Sequence, residues 1–134
     1  MKTKWMGLML SVVVSGSAIG AETPKATPEL LAKGKAVFTS YCQSCHGEKG
    51  EGNGPAGMYL VPKPRNFGTE AFKKGDKPEE IFKTISTGIP GSAMVPFTHL
   101  PEQDRWALTH YVLELQKQGK AADAKGKKKG AAKK

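Results

Sequence analysis

Cys42-Gln43-Ser44-Cys45-His46 is a C-x-x-C-H run. On a helical turn, residues three apart share a face, so the thiols of Cys42 and Cys45 point the same way, about one turn apart. Such a pair followed directly by histidine reads as an attachment site for a c-type haem: two thioether bonds, with His46 as proximal iron ligand. Three other readings compete. A Cys-Cys-His-His zinc site needs a second ligand pair at short spacing, whereas His99 and His110 lie far apart and far downstream. A thioredoxin-like dithiol wants a βαβ surround, which the flanking sequence lacks. A plain structural disulfide has no need of His46 directly after the second cysteine.

The chain has 134 residues, enough for one small domain once its ends are set aside. Residues 1–21 read as a secretory signal peptide. Lys2 and Lys4 give the positive start, Trp5 to Val14 is almost wholly apolar, and small residues lead to Ala21 before the polar Glu22. The apolar stretch is short for a membrane span; cleavage near Ala21 is expected, with an uncleaved anchor as the alternative. Export suits c-type haem chemistry and accounts for the two cysteines, both consumed by the cofactor. The formal charge of +9 sits in the tail, where residues 117–134 carry eight lysines and one acid, Asp123. Residues 22–116 balance eleven bases with eleven acids, so nucleic acid is not an expected partner of the domain.

Residues 22–27 form a proline-containing linker. Thr27-Pro28-Glu29 is a helix start, with threonine as N-cap, proline at the first helical position and an acid in the first turn. The spacing of Leu30, Leu31, Gly34, Val37, Phe38 and Tyr41 predicts a helix from Pro28 to about Tyr41. Gly47 to Pro55 is a glycine-rich loop, read as a tight excursion beside a flat cofactor. Its match to G-x-G-x-x-G at Gly52 to Gly57 lacks a preceding strand and is read as accidental. Ala56 to Leu60 is a candidate helical turn, and Val61-Pro62-Lys63-Pro64 interrupts regular structure. Asp76-Lys77-Pro78-Glu79-Glu80 opens a helix that Gly88 ends. Leu100-Pro101-Glu102 opens a last helix to about Gln116, with Trp106, Leu108, Tyr111, Val112 and Leu115 on one buried face. No segment alternates convincingly, so an all-α domain over residues 28–116 is expected. The Lys/Ala/Gly tail, 117–134, reads as basic and disordered.

From Thr27 to Leu115 the sequence is similar to the class I (mitochondrial-type) monohaem cytochromes c of the bacterial periplasm. The resemblance begins with Gly34-x-x-x-Phe38-x-x-x-Cys42-x-x-Cys45-His46. It implies a small cytochrome c fold of three to five helices around one covalently attached haem c, with crossing N- and C-terminal helices. In the family, the first-helix glycine and aromatic cross the last helix at a leucine and an aromatic three positions later; Leu108 and Tyr111 fit that pair. Pro55 matches the proline whose carbonyl accepts the proximal histidine's Nδ1–H. Gly88-Ile89-Pro90-Gly91-Ser92-Ala93-Met94 resembles the distal loop, with Met94 as second axial ligand, although Val95 stands where many relatives have proline.

Met58, His99 and His110 are the competitors of Met94. Met58 follows the attachment loop closely and reads as a gap-filler; His110 reads as a partly exposed helical residue; His99 is close enough in sequence to exchange with Met94 by a loop rearrangement. Met94 is preferred, since a thioether favours ferrous iron. Arg65 is a candidate propionate contact, weighed against a plain surface arginine. Tyr59, Phe67, Phe82, Phe97 and Trp106 are candidates for the haem crevice or the core. The resulting expectation is an exported, periplasmic one-electron carrier serving respiratory redox partners, membrane complexes or soluble reductases and oxidases, with no catalytic residues. The alternatives are a haem enzyme or gas- or peroxide-binding protein with an open sixth site, and a haem subunit of a larger membrane complex. The Lys-rich tail is a candidate for weak contact with anionic lipid or an acidic partner, weighed against a solubilising extension.

Overall fold

Thr27 holds extended backbone (φ −104°, ψ 159°), and its hydroxyl accepts the Leu30 N–H at 3.2 Å. That bond satisfies one of the donors a helix leaves unpaired at its start, and Pro28 needs no partner there. Helix α1 (Pro28–Tyr41) follows, with the bounds its sequence implies. The computed structural model describes residues 22–131; the expected signal peptide, residues 1–21, and residues 132–134 lie outside them. Thr27→Ala is expected to cost about 1 kcal/mol, seen as a Tm lower by roughly 4–8 °C with the visible spectrum unchanged.

A short helix, α2 (Gln43–His46), continues directly from α1. Helix α3 (Pro78–Thr87) starts with Pro78 and with Glu79 and Glu80 against the positive end of its dipole. It stops at Gly88 (φ 67°), whose N–H donates to the Thr84 carbonyl at 2.9 Å. Helix α4 spans Glu102–Ala131. Among the described residues there is no strand, and the protein has the all-α architecture of a small cytochrome c fold.

Gly34 is where α1 meets α4. A Cβ there would stand 2.7 Å from the Ala107 carbonyl carbon and 2.8 Å from Tyr111 Cβ, so only glycine lets the backbones approach this closely. One turn on, Phe38 meets Tyr111 edge to face, centroids 5.3 Å apart. The aromatic partner is the expected one; the glycine itself lies against Ala107 rather than Leu108, which is fully buried in the adjoining core. Lys33 also pairs with Asp104 at 2.6 Å, but both side chains are partly exposed. Such a pair contributes up to about 1 kcal/mol, whereas burying Phe38 and Leu108 contributes roughly 1.5–3 kcal/mol each. Packing therefore holds the crossing.

Two sequence expectations for α4 change. The helix does not end near Gln116, and residues 117–131 are helical rather than disordered. Lysine, alanine and glutamine are good helix formers, and Asp123 pairs with Lys127 at 2.8 Å one turn on. The extension is also touched by the body: a Cβ on Gly68 would stand 2.7 Å from Gly119 Cα. Secondly, α4 buries two faces. Its other face meets α3, where Trp106 stacks on Phe82 (4.1 Å, 19°) and the Arg105 guanidinium lies 4.9 Å from the same ring. His110, expected to be partly exposed, is buried there, with Trp106 alongside and Nε2 without a hydrogen-bond partner.

Candidate haem site

Helical hydrogen bonding carries the chain from α1 through the cysteine motif. Cys42 N–H donates to the Phe38 carbonyl (2.8 Å), His46 N–H to Cys42 (2.9 Å), and Gly47 N–H to Gln43 (2.8 Å). The two cysteines are half-buried free thiols on this turn. Burial, together with the neighbouring Cys45, pushes the Cys42 thiol up to about 12. A protonated thiol is the opposite of the depressed thiolate a redox dithiol uses.

The glycine-rich loop folds back over the motif. Gly52 N–H donates to the His46 carbonyl (2.8 Å), Gly54 to Cys45 (3.2 Å) and Ala56 to Ser44 (2.9 Å). A helix rather than a strand precedes the G-x-G-x-x-G match, so nothing supports a dinucleotide site. Residues 55–59 form turns rather than a helix. They expose Met58 and Tyr59, which therefore neither fill a gap nor line the core.

His46 is half-buried, and its ring stacks on Phe67 at 4.9 Å and 29°. Burial holds the imidazole below its ordinary value, with the nearby Arg65 backbone acting in the opposite sense. The ring is thus neutral at pH 7, the form that ligates a metal. Nδ1 is buried and closes no bond of full hydrogen-bond geometry, so the expected bond to the Pro55 carbonyl is not made, while the Arg65 backbone lies near the ring. Pro55 is exposed, at the bend between the two loop residues that bond Cys45 and Ser44. Arg65 Nη1 donates to the Ala71 carbonyl and lies 3.6 Å from Glu70. The structure gives it these partners instead of leaving it a free surface arginine.

Met94 closes its own loop. Its carbonyl accepts the Ile89 N–H (2.9 Å), and its N–H donates to Ser92 Oγ (3.1 Å). Val95 turns outward and is exposed, so the added residue before Pro96 is accommodated at the surface. Phe97 N–H donates to the Ile85 carbonyl of α3 at 3.1 Å. Beyond it, Phe97 and His99 both meet the Tyr41 ring, at 6.4 and 6.0 Å. Tyr41 directly precedes Cys42, so the methionine loop and the cysteine motif are neighbours. Cys42 and Met94 also pack on one apolar cluster, to which Phe67, the ring beneath His46, belongs.

The donors fit a covalently held haem: two free thiols one turn apart, a neutral half-buried imidazole, and a half-buried thioether on the shared cluster. Among the described residues no three His, Cys, Asp or Glu side chains converge as a metal site, which leaves the zinc reading without its remaining ligands.

Residues 29–112 match the family model described as "Cytochrome C oxidase, cbb3-type, subunit III". The chain belongs to this cytochrome c family. A cytochrome c domain carries covalently bound c-type haem and transfers electrons. Among solved structures, a chain of the Kuenenia stuttgartiensis reducing HAO-like protein complex Kustc0457/Kustc0458 is similar, with 37% identity and a TM-score of 0.61. The match covers 71% of this chain and 44% of that one, so this cytochrome c domain spans under half of its neighbour's length. Among curated proteins none matches. No helix in the described residues is long and apolar enough to cross a membrane.

Of the residues singled out in the sequence, Cys42, Cys45 and His46 share one helical turn, and Cys42 and Met94 pack against the same apolar cluster. His46 Nδ1 makes no bond to the Pro55 carbonyl, and Arg65 Nη1 donates to the Ala71 carbonyl. Phe67 gains a more specific place than expected, flat against His46. Its position in Pro64-Arg65-Asn66-Phe67, about twenty residues downstream, carries no local signal of that contact.

Proposed function

We propose that the protein is an exported, periplasmic one-electron carrier of the class I type. In this reading Cys42 and Cys45 attach a single haem, with His46 and Met94 as axial ligands. The observation that carries it is the juxtaposition of the Met94 loop and the cysteine motif, through Tyr41, Phe97 and His99 and through the apolar cluster under Cys42 and Met94. The sequence contains one C-x-x-C-H run and two cysteines, which supports a single haem. The haem, when bound, supplies one-electron Fe(III)/Fe(II) chemistry. The protein's part is to hold the group through thiols and imidazole, to fill the sixth position with a thioether, and to keep water from the cluster side. With both axial positions taken, no substrate reaches the metal and the chain acts as a carrier, not an enzyme. The reduced wild-type protein is expected not to take up carbon monoxide at neutral pH. Ready uptake would favour a gas- or peroxide-binding protein.

A second reading, a haem subunit held in a larger complex, draws on the oxidase-subunit description of the family and on a similar chain that belongs to a protein complex. The basic helix after Gln116 is the candidate contact for an acidic redox partner or an anionic surface. Deleting residues 120–134 is expected to leave the haem spectrum and potential intact and to slow electron exchange with an acidic redox protein only at low salt. An altered spectrum in the truncated protein would contradict this.

A further inference from the structure

We propose that Phe67 is the positioning residue of the proximal ligand, a ring laid flat against His46 that fixes the imidazole's orientation and excludes water from its covered face. The inference rests on the reading of His46 as an axial ligand. Ligating imidazoles ordinarily have their orientation set by a hydrogen bond from the free ring nitrogen to a carbonyl or carboxylate. Here Nδ1 is buried and closes no bond of full hydrogen-bond geometry, although the Arg65 backbone is near enough to act on the ring. Among the described residues Phe67 makes the one aromatic contact to His46, at 4.9 Å and 29°.

Phe67 is itself rigidly held. It is 6% exposed, its N–H donates to the Gly50 carbonyl at 2.8 Å, and Phe72 meets its ring at 5.7 Å. Gly50 has φ +69°, and a Cβ there would overlap Phe67 Cδ2 and stand 3.0 Å from Cε2. Glycine at this position therefore makes room for the ring. The same short loop returns the Gly52 N–H to the His46 carbonyl at 2.8 Å. One loop thus anchors the backbone of the ligand and seats the ring that lies against its side chain. An apolar cover over a ligand keeps the local dielectric low and disfavours the more highly charged ferric state, so its loss should lower the potential.

The test uses the mature holoprotein as wild type, Phe67→Leu, Phe67→Tyr, Gly50→Ala and Phe72→Leu. Three properties are measured in each: the midpoint potential, the hyperfine-shifted imidazole resonances of the ferric form, and the Tm. Phe67→Leu is expected to shift the potential downward and to move the imidazole resonances, while Phe67→Tyr, which keeps the ring, stays near wild type. Gly50→Ala, which displaces the ring without changing its chemistry, should shift both in the same direction as Phe67→Leu. Phe72→Leu touches the same cluster away from His46 and should lower only the Tm. The proposal is overturned if Phe67→Leu behaves like Phe72→Leu, with Tm reduced and both other readouts unmoved. Where Phe67→Leu fails to mature, unmoved readouts in Gly50→Ala overturn it equally. Absence of any shifted imidazole resonance in the wild type would instead remove the axial role of His46.

Discussion

Gly34→Ala is expected to lower the stability of the holoprotein by about 2–3 kcal/mol, although alanine is the better helix former. In an exposed helix the change would gain up to about 1 kcal/mol. At this position the new methyl would meet the Ala107 carbonyl and Tyr111 Cβ. Neither is the far end of a flexible side chain, so α1 and α4 must move apart. Overpacking of this kind costs roughly 1–3 kcal/mol and occasionally more, and separation also loosens the Phe38–Tyr111 contact one turn on. For a domain of this size the loss corresponds to a Tm lower by roughly 10–20 °C. A thermal melt followed by far-ultraviolet circular dichroism measures it. An unchanged or raised Tm would mean that the helices do not cross at Gly34.

Met94→Ala is expected to leave the haem attached and to open the sixth position. The ferric protein should become high-spin, the reduced protein should take up carbon monoxide, and the potential should fall, because the thioether favours ferrous iron. A fall on the order of 100 mV is under two decades in equilibrium constant, at about 59 mV per decade for one electron. Truncation should cost little stability, since Met94 lies at the margin of the apolar cluster and its loop is closed by backbone and Ser92 bonds that alanine keeps. Spectra and a redox titration check both halves. A low-spin protein that still refuses carbon monoxide would pass the sixth position to another residue, with His99 the first to replace, since its loop lies against Tyr41.

The parts legible in the sequence were those written in short-range chemistry. Thr27-Pro28-Glu29 encodes its own helix start, Pro78-Glu79-Glu80 another, and Cys42 to His46 needs only helical pitch to align two thiols. The crossing at Gly34 followed from a resemblance, since nothing local in a helical glycine names its partner. What escaped depends on contacts distant in sequence. His110 is buried because α3 covers a second face of α4, where Trp106 stacks on Phe82, and periodicity along one helix does not reveal this. Pro55 is exposed at a bend whose flanking residues, Gly54 and Ala56, are tied to Cys45 and Ser44. Composition suggested disorder after Gln116, yet the same lysines and alanines are helix formers, and Gly119 has a neighbour in Gly68. Phe67 belonged to the right group of aromatics, but only the folded loop shows which ring it covers.

The most direct test is the optical spectrum, oxidised and reduced, of protein made in cells able to mature c-type cytochromes, read together with the fate of the colour on denaturation. Haem that stays with the denatured chain, and a ferric form showing the weak far-red methionine–iron band, are the results predicted for attachment at Cys42 and Cys45 and ligation by His46 and Met94. Haem that washes out on denaturation, or a chain that matures without haem, would contradict the account at its centre.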